Sequence, residues 1–321
     1  MIAISQQRLI HRQDPTAPPG DAGRAMTNRT LVADSFLIAS TDLFIDVCHA
    51  LGEHDLASMY KDWATQLRKA FTNRWTLGSN PMLDTQTAYA MAIHFNLLPS
   101  PTQINDARTR LVDLVTKANY TIATGFAGTP IIGHALTRVA ETPTFYKMLL
   151  QTQCPSWLYP LTKNATTMWE RWDSMLPNGD LNTPAMTSFN HYALGSVANW
   201  MHTNIAGFQI LEAGWRRFAL KPVPGGDLIW AKARFESPYG VIACEWEIVD
   251  DVLMAQFVVP PNTEACIALP GMEERWVGSG FHTMGTSLKS VGVGAEQEGQ
   301  VGEPEDAQKV LSELGVDAER L

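Results

Sequence analysis

Residues 165–173, ATTMWERWD, set the carboxylate of Glu170 between Trp169 and Trp172, with Arg171 and Asp173 beside it. Aromatic faces stack on the apolar faces of a pyranose ring, and an ionised acid held among them can act on water or on the anomeric carbon. The same run also fits a helix start. Thr166 or Thr167 would be the N-cap, the helix dipole would favour Glu170 in the first turn, and the tryptophans would simply be packed. On the run alone the two readings stand level.

The elements that must hold such a site change character along the chain. Residues 1–33 are polar, rich in Pro and Gly and aperiodic, and read as a disordered or anomalous start. From Asp34 the period is helical. Phe36, Leu37, Leu43, Phe44, Val47 and Leu51 share one side until Gly52, and Leu56, Met59, Tyr60, Trp63, Leu67 and Phe71 repeat the pattern, which predicts an antiparallel hairpin. Segments beginning DTQTAYAM, NDARTRLV, 130–140, 143–152 and NHYALGSV add helices, giving an all-α layer of seven or eight. After Gly207 the period becomes that of strands. Phe218–Lys221, Leu228–Phe235, Gly240–Ile248, Leu253–Val259 and Cys266–Leu269 are short, rich in Val, Ile, Trp and Phe, and separated by turn residues. They predict a small antiparallel β-sandwich over 209–271, followed by an acidic, Gly-rich tail over 272–321 with one short helix at 304–320.

Composition excludes some functions. A net charge of −9 argues against a nucleic-acid surface, which needs clustered Lys and Arg. No stretch approaches the length of a membrane span, and the amino terminus lacks the apolar core of a signal peptide, so the chain as it stands reads as cytoplasmic. The four cysteines, Cys48, Cys154, Cys244 and Cys266, form no metal pattern and read as buried free thiols, with Cys244 and Cys266 able to pair only in a secreted protein. No metal or cofactor is expected. Asp84 and Thr87 read as an N-cap and its first helical turn, and TGFAGTP at 124–130 as a tight turn without the Lys of a phosphate loop.

Twenty-one positions beyond Glu170 lies His191, inside MTSFNHYALGSVANW, and shortly before it lies QCPSWLYPL at 153–161. These segments, in this order, resemble the carboxyl-terminal part of the α-L-rhamnosidases of glycoside hydrolase family 78. DTQTAYAMAIHFNLLP and TGFAGTP upstream, and GWRRFALKPVPGGDLIW and VPPNTEACIALP downstream, extend the resemblance over roughly residues 34 to 270. The resemblance implies a multidomain α and β architecture: an incomplete six-hairpin (α/α)6 barrel at 34–208, then the β-sandwich. It also implies inverting hydrolysis of a terminal α-L-rhamnose from a rhamnose-containing glycoside, a reaction that needs two acids about 6.5–9.5 Å apart. By motif match Glu170 is the general base and His191 a sugar contact. Asn190, Trp169, Trp172 and Trp157 are neighbouring pocket residues by the same resemblance. The family's general-acid motif is absent between Met1 and Asp84. The chain is therefore expected to be a fragment carrying the base half of the site, or alternatively a non-catalytic remnant that binds rhamnosides or needs a partner. A different six-hairpin glycosidase, with Asp42, Asp46 or Asp84 as acid, is a weaker third reading.

Overall fold

The computed structural model describes residues 26–182 and 187–288. The chain divides into two compact units, one ending at Val197 and the other beginning at Ala198.

The first unit is helical. Helix α1 (Arg29–Leu51) starts where the Asn28 side chain accepts from the Thr30 and Leu31 amides, and stops at Gly52, whose φ of +76° suits a residue with no Cβ. Helix α2 (His54–Arg74) packs back on it, making the predicted hairpin. Helix α3 (Gln86–His94) is buried on every side from Gln86 to Ile93 and contacts α1, α4 (Pro101–Lys117) and α5 (Thr129–Arg138). It is the central element of the unit. Helix α4 buries only the stripe Ala107, Leu111 and Val115, the i, i+4, i+8 spacing of an outer helix. Helix α6 (Thr142–Leu149) pairs with α5, and a short helical turn at Tyr159–Thr162 follows. One core cluster ties Leu31 and Ile38 of α1 to Phe71 of α2, Leu83, and Ala88 and Ala92 of α3.

Several expectations are corrected here. The first helix begins at Arg29, inside the stretch 1–33 read as unstructured, because Asn28 caps it and the Thr27 hydroxyl meets that of Thr85 at 2.7 Å. Residues 1–25 lie outside the described residues. The N-cap of α3 is Thr85, which accepts from the Ala88 amide, and not Asp84. Nor does ATTMWERWD open a helix, since its backbone bonds run to residues 188–191 instead.

The second unit holds two four-stranded sheets. The strands are β1 (Phe208–Ile210), β2 (Arg217–Leu220), β3 (Trp230–Ser237), β4 (Gly240–Val249), β5 (Val252–Val259), β6 (Glu264–Ile267), β7 (Arg275–Val277) and β8 (Gly280–Ser287). One sheet has the order β1-β2-β6-β7 and the other β3-β4-β5-β8. Along β4, Ile242, Cys244 and Trp246 alternate into the core, and the Trp246 indole donates to the Ile205 carbonyl at 2.8 Å. Asp250 and Asp251, both with positive φ, close the two-residue turn between β4 and β5.

The sandwich differs from its expectation in two ways. β2 and β6 run parallel, because β3, β4 and β5 form the other sheet between them, so the chain can re-enter beside β2 in the same direction. And the tail expected from 272 contributes β7 and β8, which pair with β6 and β5. The expected helix at 304–320 lies outside the described residues. Cys244 and Cys266 are both buried free thiols.

Candidate functional site

Two irregular segments of the first unit are laced side by side. The Glu170 amide donates to the Ser188 carbonyl at 2.8 Å and the His191 amide to the Met168 carbonyl at 2.8 Å. The Ser188 amide in turn donates to Glu170 Oε2 at 3.1 Å. This antiparallel pairing sets Glu170 and His191 on adjacent strands of chain although they are far apart in sequence. Both are half-buried.

Among the described residues no cation is paired with Glu170. Arg171 turns its guanidinium onto Asp173, with Nε at 2.9 Å from Oδ1 and the second contact at 3.3 Å. Asn182 steadies that pair by donating to the Asp173 carbonyl. Among the described residues Glu170 Oε1 has no hydrogen-bond partner, so the carboxylate is fixed at one oxygen and open at the other. Such a group can take a proton from water or accept from a sugar hydroxyl.

The tryptophans sit elsewhere than a stacking role requires. Trp169 and Trp172 are each 3% exposed and Trp157 is 5% exposed. Trp172 donates its indole N–H to the Thr124 carbonyl at 3.2 Å and stands edge-on to Trp157 at 5.5 Å. Trp157 donates to the Leu194 carbonyl at 2.9 Å. Trp169 is edge-on to Tyr159 and to Phe189. The Trp157 and Trp172 N–H groups are thus engaged by carbonyls, and all three rings are buried beside the Glu170 segment. Asn190 is exposed, and its amide donates to the Ser188 hydroxyl at 3.2 Å.

His191 does not lie on a helix; it precedes a short turn at Ala193–Ser196. Its ring is stacked parallel on Phe126 and on Tyr192. Phe126 belongs to the 124–130 loop, read from sequence only as a turn. That loop is tied down by Gln86, whose Oε1 accepts from the Ala123 amide at 3.0 Å, and by the Thr124 and Thr129 hydroxyls 2.9 Å apart. Gly128 is required there, since a Cβ would come within 2.7 Å of Thr87 Oγ1. Gln86, Phe126 and Ser188 were not legible as site residues, because their roles rest on contacts between segments distant in sequence.

Two of the three candidate acids elsewhere, Asp84 and Asp42, are paired. Asp84 accepts from Arg110 and from the Tyr89 hydroxyl, and the Arg110 bond holds its carboxyl below the ordinary range. Tyr89 is pushed up to about 12 by burial and then by Asp84. These groups line a cleft of about 660 Å³ with Trp75, Gln103 and Asp106. Asp42 is tied to Arg68, and Asp46 is exposed. No group of three His, Cys, Asp or Glu residues that could hold a metal occurs among the described residues. Among them, too, no helix is long and apolar enough to cross a membrane.

Residues 6–205 match the bacterial alpha-L-rhamnosidase six-hairpin glycosidase domain, and residues 207–281 the bacterial alpha-L-rhamnosidase C-terminal domain. An alpha-L-rhamnosidase of Streptomyces avermitilis is 38% identical over 265 residues, covering 82% of this chain and 25% of the relative. One from Formosa agariphila is 33% identical over 278 residues, covering 85% and 30%. The crystal structure of a native alpha-L-rhamnosidase from Aspergillus terreus superposes with a TM-score of 0.83 at 44% identity, over 86% of this chain and 32% of that one. The Streptomyces avermitilis enzyme complexed with L-rhamnose superposes at 0.76 and 36% identity, over 81% and 27%. The chain thus spans a quarter to a third of the length of these relatives.

Proposed function

The chain belongs to the α-L-rhamnosidase family of six-hairpin glycosidases, and from that premise we propose that Glu170 is the general base of an inverting hydrolysis of terminal α-L-rhamnose. The observation that carries the reading is the lacing of 168–170 to 188–191, which gives Glu170 one anchored and one open oxygen beside His191. In this reading Oε1 receives a proton from the attacking water as that water adds to the anomeric carbon. His191 and the exposed Asn190 contact sugar hydroxyls, and Trp169, Trp172 and Trp157 back the pocket rather than stack on the substrate.

Protonation of the leaving oxygen needs a second acid, and a general acid works with a raised pKa. Asp84 is held low by Arg110 and Asp42 is ion-paired with Arg68, so neither fits that role. We place the proton donor in the part of the family's fold beyond the third or less that the chain spans. The pairing of these acids also favours a second reading, in which this chain binds L-rhamnose without turning a glycoside over.

The test combines L-rhamnose titration with chromophore release from an aryl α-L-rhamnoside, each for the purified chain and for Glu170→Gln. Turnover abolished in the variant supports the base role. Binding without turnover in either protein supports the second reading, and an absence of both binding and turnover refutes the pair.

A further inference from the structure

The His191 ring lies nearly parallel to two neighbouring rings. Phe126 lies 5.2 Å from it at an interplanar angle of 10°, and Tyr192 lies 5.4 Å from it at 4°. Faces this nearly parallel oppose rotation of the imidazole, because turning it drives a ring edge into one neighbour or the other. The Ala193 backbone amide donates to His191 Nδ1 at 3.2 Å. A nitrogen that accepts a hydrogen bond carries no proton, so the neutral imidazole holds its proton on Nε2.

The two flanking rings differ in how firmly they are held. Tyr192 is 88% exposed and follows His191 directly in the chain. Phe126 is half-buried in the loop that Gln86, Thr124 and Thr129 tie to α3 and α5. Of the two it is the ring that can hold the imidazole in place.

We infer that Phe126 is a positioning residue: it holds the His191 ring in the plane where Ala193 occupies Nδ1, leaving Nε2–H as the one donor the imidazole presents to a sugar oxygen. With Nδ1 occupied and Nε2 protonated, the neutral ring has no free lone pair to take a proton. It therefore serves as a hydrogen-bond donor, and proton abstraction is left to Glu170. The sugar contact rests on the functional reading above; the clamp does not, and it is tested without sugar.

The experiment is a long-range proton–nitrogen NMR spectrum of the ¹⁵N-labelled full chain at alkaline pH, where the imidazole is neutral. The expected result for His191 is one tautomer, with a pyridine-type shift at Nδ1 and a pyrrole-type shift at Nε2. Phe126→Ala moves both nitrogens to averaged values, and Phe126→Tyr, which keeps the ring face, restores the separation. Phe126→Leu fills the space without an aromatic face and gives averaged shifts, which separates ring stacking from simple packing. L-rhamnose affinity then falls roughly 2- to 10-fold in the Ala and Leu variants, the cost of immobilising one side chain on binding. A proton on Nδ1 in the unaltered protein, or a single Nε2–H tautomer retained in both the Ala and Leu variants, overturns the clamp. If the tautomer is as stated but L-rhamnose shifts no His191 signal, the clamp stands and the sugar-binding reading fails.

Discussion

Trp172→Phe separates a wall from a stacking platform. Three contributions are lost when the indole becomes a phenyl ring. The Thr124 carbonyl, in a residue that is 0% exposed, loses its indole donor and keeps only the Thr129 hydroxyl at 3.4 Å, a deficit of about 1 kcal/mol. The missing ring atoms leave a void in a site where Trp172 is 3% exposed, worth about 1–2 kcal/mol. The edge-on contact with Trp157 at 5.5 Å weakens by about 0.5–1 kcal/mol. The expected destabilisation is about 2.5–4 kcal/mol, read as a lower urea midpoint with unchanged slope for the helical unit. If the chain binds L-rhamnose as proposed, the affinity of the folded variant stays within about threefold of the parent, since no ring face is withdrawn from a ligand. A variant with parental stability and an affinity lowered tenfold or more would falsify the burial argument and return Trp172 to the pocket.

Three further expectations follow from other parts of the chain. Burial, with His134 and Arg138 nearby, lowers the pKa of His94 to about 4 from an ordinary 6.5, so between these values the folded chain binds fewer protons than the unfolded chain. Stability is therefore full above pH 6.5 and falls as pH drops toward 4, and denaturation midpoints of His94→Gln lose that part of the slope. In the sandwich, Gly207 has φ +79° and a Cβ there would lie 2.2 Å from the Lys221 carbonyl carbon. Gly207→Ala is expected to cost about 3 kcal/mol or more, seen as early melting of the sandwich by near-ultraviolet circular dichroism. With no disulfide among the described residues, four thiols should react with a thiol reagent in denaturant, and buried Cys48, Cys244 and Cys266 only slowly in the native protein. Fewer than four in denaturant without reductant would refute this.

The sequence was most legible where signals are local. The α1–α2 hairpin was legible as two helices broken at Gly52, although the side read as apolar (Phe36, Leu37, Leu43, Phe44, Val47, Leu51) is exposed while Leu31, Val32, Ile38 and Cys48 are buried. Strands β3, β4 and β5 follow from apolar runs between turns. β7 and β8 were not legible, since RWV and GFHTMGTS carry a weak strand signal and owe their conformation to β6 and β5. The same holds for the parallel pairing of β2 with β6, which depends on where the intervening strands go.

The site divides along the same line. ATTMWERWD and SFNHYALG by themselves determined that an acid and an imidazole stand in aromatic company, because residue types and spacing are covalent facts of the chain. Only the tertiary structure decided that three tryptophans turn edge-on into the interior, that Arg171 spends its charge on Asp173, and that Ser188 anchors one oxygen of Glu170. It also decided that Phe126 lies flat on His191. The physical reason is that orientation, burial and hydrogen-bond partnership belong to pairs of residues distant along the chain, and such pairs exist only after the backbone has paid its entropy to bring them together.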